Sequence, residues 1–197
     1  MKTFYTKIKP FIRRHGLILS IFRLPLRFFL KLGDRINTLR WRFLIKNIGE
    51  GSVIQLGVKI ENPMRVRIGR NCFLTKGCAL TSETAIGVLT LSEGVQINSN
   101  TRIDHTGDLL IGAGVLISEN CVIYTHSHGY NPRSEPIAMP KIIGPGVWVG
   151  SQSIILENCQ LVSANSIIAA GSVLTKSCTD RGIYGGVPAK LIKRLNE

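Results

Sequence analysis

The sequence contains no stretch of 18 or more uncharged apolar residues, because Arg23 and Arg27 interrupt Leu17–Leu30. A membrane-spanning helix is therefore not expected. The same interruption, with no small-residue cleavage site after it, speaks against a secretory signal. Paired cysteines are lacking as well. Cys72, Cys78, Cys121, Cys159 and Cys178 are odd in number and form neither a C-x-x-C motif nor a Cys/His cluster at zinc-ligand spacing, so neither a disulfide framework nor a structural zinc is expected. These features place the expected protein in a reducing cytoplasm. Acidic residues are scarce in one region only. Residues 1–47 hold twelve lysines and arginines against Asp34 alone, whereas the other 150 residues carry thirteen basic and eleven acidic groups. The net charge of +13 over 197 residues thus belongs to an N-terminal arm, and no nucleic-acid partner is expected. With 44% apolar and 19% charged residues, the composition is that of a globular protein.

The arm from Lys7 to Lys46 interleaves Phe11, Ile12, Ile18, Phe22, Leu26, Phe29, Leu30, Ile36, Leu39 and Trp41 with arginines. Ile18, Phe22, Leu26 and Phe29 recur at spacings of three and four, a helical stripe that Pro25 must kink or break. Two readings fit that stripe. It is either a basic amphipathic helix on an anionic membrane surface, making the protein peripheral on the inner face, or a helix that caps the core or packs on a neighbouring subunit.

From residue 48 onward the chain repeats every six residues. Aliphatic residues lead hexads at Ile48, Ile54, Ile60, Ile68, Leu74, Leu80, Ile86, Leu91, Ile97, Ile103, Ile111, Ile117, Ile123, Ile143, Val149, Ile155, Leu161, Ile167 and Val173. The fifth position, which was not used to choose them, is Ser, Thr, Ala, Val or Cys in 15 of 19 hexads; these types make up 26% of the chain, so chance would give about five. Neither a 3.6-residue nor a two-residue period produces this. A chain coiling as a triangular prism does, with one short strand and one corner per hexad and three hexads per coil, so that stacked coils bury a continuous core. Four cysteines occupy the small fifth position and read as buried apolar groups.

The repeat resembles the hexapeptide-repeat acyltransferases, among them the sugar, maltose and galactoside O-acetyltransferases and polysaccharide-biosynthesis acetyltransferases. The resemblance covers residues 48–194 and implies a left-handed parallel β-helix there; with the N-terminal α-helical basic arm over 1–47 and a short C-terminal helix, the expected protein is mainly β. Between Ile123 and Ile143 the repeat stops, and a loop over 129–142 leaves the prism, preceded by Thr125-His126-Ser127-His128. In these relatives the catalytic histidine stands five residues after an aliphatic leader at this loop, which selects His128, with His126 as second choice and an acceptor contact. Val147-Trp148-Val149-Gly150-Ser151, Ala169 to Lys176 and Gly185-Gly186-Val187-Pro188-Ala189-Lys190 resemble the family's acyl-group, coenzyme A and C-terminal elements. Trp148, Ser151, Ala170, Thr175, Lys176, Lys190 and Lys193 are accordingly the expected cofactor contacts. Asn98 precedes His128 by a spacing similar to that of an acceptor-binding asparagine in galactoside relatives, and is the other expected acceptor contact.

The implied chemistry suits these residue types. A sugar hydroxyl attacks the thioester of acetyl-CoA only as a base removes its proton, and histidine titrates near neutrality. The developing oxyanion needs a donor, for which a backbone N–H at Gly150 or Ser151 is available. Asp104, Glu135 or a carbonyl would orient His128, and His105 reads as a second acceptor contact or, the favoured reading, an exposed corner. No metal is expected, since three spaced ligand histidines are lacking. The expected protein is a cytoplasmic homotrimer that O-acetylates a free sugar or a lipid-linked saccharide in surface-polysaccharide or lipopolysaccharide synthesis. The alternatives are N-acetylation of an amino sugar, acetylation of a small molecule, and a non-catalytic scaffold.

Overall fold

The computed structural model describes residues 17–196, with side chains from Leu26 onward. The expectations for Phe11 and Ile12, and for the side chains of Ile18 and Phe22, lie outside the described residues. Helix α1 (Leu17–Leu44) is followed by short strands that stack into three parallel sheets. Residues at equivalent positions of successive coils pair down each face: Ile48, Ile68, Leu91, Ile111, Ile143 and Val162 on the first, Ile54, Leu74, Ile97, Ile117, Val149 and Ile168 on the second, and Ile60, Leu80, Ile103, Ile123, Ile155 and Leu174 on the third. All are buried. The result is the left-handed parallel β-helix.

Every coil is longer than three plain hexads. The steps between paired inward positions of the third face, Ile60 to Leu80, Leu80 to Ile103, Ile103 to Ile123, Ile123 to Ile155 and Ile155 to Leu174, are also unequal. The first and second edges of the prism keep the plain six-residue step, so every extra residue enters at the closing edge, where the third face returns to the first. At each of the twelve regular corners the fourth position has positive φ, and it is Gly or Asn in all but one: Gly51, Gly57, Asn71, Gly77, Gly94, Asn100, Gly114, Asn120, Gly146, Gln152, Asn165 and Gly171. Those are the residue types that tolerate the left-handed region. Irregularity at the closing edge lets loops leave the prism without disturbing the core.

Four expectations change. Ile86 is 76% exposed, because Leu89 and Leu91 carry the first face there. Leu161, Ile167 and Val173 are not inward leaders: the closing edge after Ile155 takes seven residues and not six, so Val162, Ile168 and Leu174 face the core. In that register the fifth positions are Ser166, Ser172 and Cys178, all buried, which places the fifth cysteine with the other four. The C-terminus is not a helix but an antiparallel hairpin, Gly182–Gly186 with Ala189–Arg194, the first strand of which extends the second face. Its turn at Gly186-Val187-Pro188, with Gly186 at φ 101°, and its alternating burial favour strands. Nor does Pro25 break α1, which runs unbroken from Leu17 to Leu44.

Helix α1 covers the open end of the prism. Ile54 N–H donates to Thr38 Oγ1 at 2.9 Å, Asn37 Nδ2 donates to the carbonyls of Ile54 and Gln55 at 3.0 Å each, and Leu56 N–H donates to the Asp34 carboxylate at 3.0 Å. Trp41 and Ile45 join the core beside them. An edge strand whose polar groups would otherwise invite another chain is thereby satisfied.

Candidate active site

The closing edge gathers the polar residues. Asp104, directly after the inward Ile103, is 1% exposed. Its Oδ1 accepts from Thr106 Oγ1 at 2.6 Å and Thr106 N–H at 3.2 Å; its Oδ2 accepts from Thr125 N–H and Oγ1 at 2.7 Å each and contacts His126 Nδ1 at 2.9 Å. Burial alone would raise the Asp104 pKa, but the hydrogen bonds from Thr106, Thr125 and His126 hold it below the ordinary carboxylate value. An ionised Asp104 only accepts, so the proton of neutral His126 sits on Nδ1.

His128 is oriented separately. Its Nδ1 donates to the Ser134 carbonyl at 2.7 Å, and Ser134 Oγ donates to the His128 carbonyl at 2.8 Å. The loop thus closes on itself around this imidazole before rejoining the first face at Lys141. Both Nε2 atoms converge on one carboxylate: Glu83 lies 3.3 Å from His126 and 3.1 Å from His128 through its two oxygens. The two rings meet edge to face, with centroids 5.2 Å apart. His126 is nearly buried, whereas the His128 side chain is 27% exposed and is the one that an incoming molecule can reach.

Of the groups offered to orient His128, a carbonyl does so; Asp104 orients His126, and neither it nor Glu135 touches His128 in the hydrogen bonds described. His105 is buried rather than an exposed corner, with Nε2 3.3 Å from the Glu61 carbonyl. The sequence reading missed Glu83. Its signal was the long gap between the inward Leu80 and Leu91, hidden by taking Ile86 as a leader. Glu83, His126 and His128 together offer three ligand atoms within 4.8 Å of one another, a set that a search for three histidines does not find.

The expected cofactor residues lie elsewhere. Trp148 stands on the outer side of the second face, half exposed, its Nε1 donating to Ser118 Oγ at 3.1 Å. Ser151 and Ala170 occupy the second edge one coil apart, with Ser151 Oγ donating to Glu119 at 3.1 Å. Gly150 N–H is bonded to the Ile168 carbonyl at 2.8 Å, which removes it as an oxyanion donor and leaves Ser151. Thr175 and Lys176 follow Leu174 at the closing edge of the last coil, and Lys190 and Lys193 lie on the hairpin. Asn98 sits at the second edge, held by Gln96 and the Ile117 carbonyl, and is not brought beside His128 within one chain.

No family model matches the sequence. Individual relatives do. WbbJ of Escherichia coli K12, which carries the name of a lipopolysaccharide biosynthesis O-acetyl transferase, is 28% identical over 73% of this chain and 79% of its own. A galactoside O-acetyltransferase of Lactococcus lactis is 26% identical over 78% and 76%. Among solved structures, AntD, an N-acyltransferase from Bacillus cereus in complex with dTDP and 3-hydroxybutyryl-CoA, superposes with a TM-score of 0.69 at 22% identity, covering 81% of this chain and 88% of that one. In sequence and in fold the chain is similar to the hexapeptide-repeat acyltransferases. A second structure in that family, the hexapeptide-repeat acetyltransferase of Vibrio cholerae complexed with acetyl coenzyme A, matches with a TM-score of 0.56 at 24% identity over 89% and 85%.

Proposed function

We propose that this acyltransferase moves an acetyl group from acetyl-CoA to a sugar hydroxyl during synthesis of a surface polysaccharide or lipopolysaccharide, with His128 as general base. One observation carries the chemistry: the Ser134 carbonyl accepts a hydrogen bond from the Nδ1–H of His128, so the neutral imidazole keeps its lone pair on Nε2, the atom that faces Glu83. An acceptor hydroxyl would take the position of the Glu83 carboxylate on Nε2. As its oxygen bonds to the thioester carbon, its proton passes to Nε2; collapse of the tetrahedral oxyanion, stabilised by Ser151 N–H, breaks the carbon–sulfur bond, and the thiolate leaves as coenzyme A with that proton. No acyl-enzyme is needed. His126, backed by Asp104, then flanks the acceptor.

Within one chain His128 stands at the closing edge, while Trp148, Ser151 and Ala170 stand on the second face and second edge. Both sets act together if the closing edge of one prism faces the second edge of another, which supports a homotrimer with sites between subunits. The polysaccharide assignment draws on the name of WbbJ and on the basic arm. N-acylation of a nucleotide-linked amino sugar is the second reading, favoured by the likeness to AntD; its amide product would survive mild base, whereas a sugar ester would not.

Calorimetric titration of the assembled protein with acetyl-CoA tests the donor without knowledge of the acceptor. Saturable binding that weakens in Trp148→Ala and Lys176→Ala is expected; absence of binding by folded protein overturns the proposal. With an acceptor in hand, His128→Ala should lower turnover by roughly 10² to 10⁴, and unchanged turnover removes it as base.

A further inference from the structure

Helix α1 has two opposite faces. The face turned to the prism carries Asp34, Asn37, Thr38 and Trp41, with Ile45 just beyond the last turn. At 3.6 residues per turn, the side about half a turn away carries Phe28, Phe29, Leu32, Ile36, Leu39 and Phe43. All six are exposed, from 44% at Leu32 to 90% at Phe43, and none belongs to the core cluster. Cations flank this stripe, Lys31 and Arg35 along one side and Arg40 on the other, while the only acid of the first 47 residues, Asp34, is turned inward and bonded to Leu56 N–H. A groove of about 430 Å³ lined by Phe28, Lys31, Leu32, Arg35, Val53 and Phe73, among others, extends the apolar surface toward the first coil.

We infer that this stripe docks the protein on an anionic lipid surface, with α1 lying in the plane of the interface. Charge decides the occupant. A second copy of α1 would bring another cation-flanked stripe against the first, so that like charges oppose one another, whereas anionic headgroups beside acyl chains complement both the rim and the centre. No helix among the described residues is long and apolar enough to cross a membrane, so the mode is attachment and not insertion. Because α1 caps the first coil and Glu83, Asp104 and His128 follow on the second to fourth coils, the site spans about 5–15 Å beyond that coil at roughly 4.8 Å per coil. That height suits a saccharide whose lipid anchor stays in the bilayer; the docking itself does not depend on the acyl-transfer reading.

Cosedimentation of the full chain with vesicles tests this, comparing phosphatidylcholine alone with a two-to-one mixture of phosphatidylcholine and phosphatidylglycerol. Binding to the anionic vesicles alone is expected, weakened at least tenfold by about 0.5 M salt and by Leu32→Ser/Ile36→Ser/Phe43→Ser, with circular dichroism, melting and acetyl-CoA binding unchanged. A dye attached at Phe43→Cys provides a readout independent of that triple variant and should shift to the blue on anionic vesicles. Failure of the wild-type chain to bind anionic vesicles overturns the inference. So does a triple variant that binds as well as wild type, or one whose loss is of oligomeric state and not of lipid binding, which would assign the stripe to a subunit contact.

Discussion

Replacing Asp104 by Asn keeps the shape of the most heavily bonded side chain in the site and removes its charge. Five donors from three residues converge on the two carboxylate oxygens: the N–H and O–H groups of Thr106 and Thr125, and His126 Nδ1. An Asn amide offers one oxygen. Turned toward Thr125 and His126, it presents an NH₂ to the Thr106 N–H; turned the other way, it opposes the Thr125 N–H and the His126 donor. The smaller loss is one weakened backbone contact plus the charge assistance of the rest, about 2–4 kcal/mol at neutral pH. The pH dependence has a definite sign. A carboxylate whose folded pKa is depressed stabilises the fold above its ordinary value of 3.8, and that contribution disappears as pH falls through the lower folded value. The gap between wild type and Asp104→Asn should therefore be full at about pH 6 to 7 and shrink below about pH 4. Urea unfolding at several pH values measures it, and turnover at saturating acceptor reports the His126 wall of the site. A difference below about 1 kcal/mol at neutral pH, or a gap that does not close with acid, would refute the assignment of Asp104 as an ionised anchor.

Lys141, where the His128 loop rejoins the prism, is 1% exposed and donates to the carbonyls of Leu156, Glu157 and Cys159; burial pulls its pKa down to about 8. Above that pH the unfolded chain binds a proton that the folded one does not, so stability from this residue should rise between about pH 8 and 10.5, on the order of 3 kcal/mol, and a wild-type curve parallel to that of Lys141→Met over this range would contradict it. Gly77 and Gly94 both have positive φ, but a Cβ at Gly77 would meet Asn100 Oδ1 at 2.3 Å, whereas at Gly94 the nearest atom is 3.8 Å away. Gly94→Ala should cost about 1 kcal/mol and Gly77→Ala at least about 1 kcal/mol more, read from urea midpoints; equal costs would show that Asn100 yields without penalty.

The six-residue period and the small fifth position made the prism legible, because a buried interior repeats its demands at every coil. Two features of the same repeat went unread. The fourth position, Gly or Asn at eleven of twelve corners, marks each turn more strictly than the fifth, since backbone sterics admit few residue types there. Register after Ile155 was ambiguous because Leu161-Val162, Ile167-Ile168 and Val173-Leu174 are adjacent aliphatic pairs in which either member satisfies a hydrophobic pattern. The buried Ser166, Ser172 and Cys178 resolve it in favour of the second member. The place of His128, at the mouth of the loop, was legible through the break in the repeat. Its partners were not, because Ser134 contributes a carbonyl, which no side-chain pattern announces, and Glu83 comes from an insertion two coils earlier in the stack.

That separation has a structural cause which joins fold to function. Two edges of the prism hold the plain hexad step through corners that only Gly, Asn or one Gln occupies, so they carry little freedom for variation. The closing edge runs from Ile60 to Ile68, Leu80 to Leu91, Ile103 to Ile111, Ile123 to Ile143 and Ile155 to Val162, a span that nearly every coil sets differently. Glu83, Asp104, His126 and His128 all stand on it. Segments distant in sequence become stacked neighbours because each coil returns to this edge at a spacing of about 4.8 Å. A residue can thus be exchanged in one insertion while the rungs above and below hold the remaining groups in place. On this chain a rigid core and a variable site occupy different edges of the same coil, and α1, by closing the first coil through Asn37 and Thr38, leaves its opposite face available for a second task.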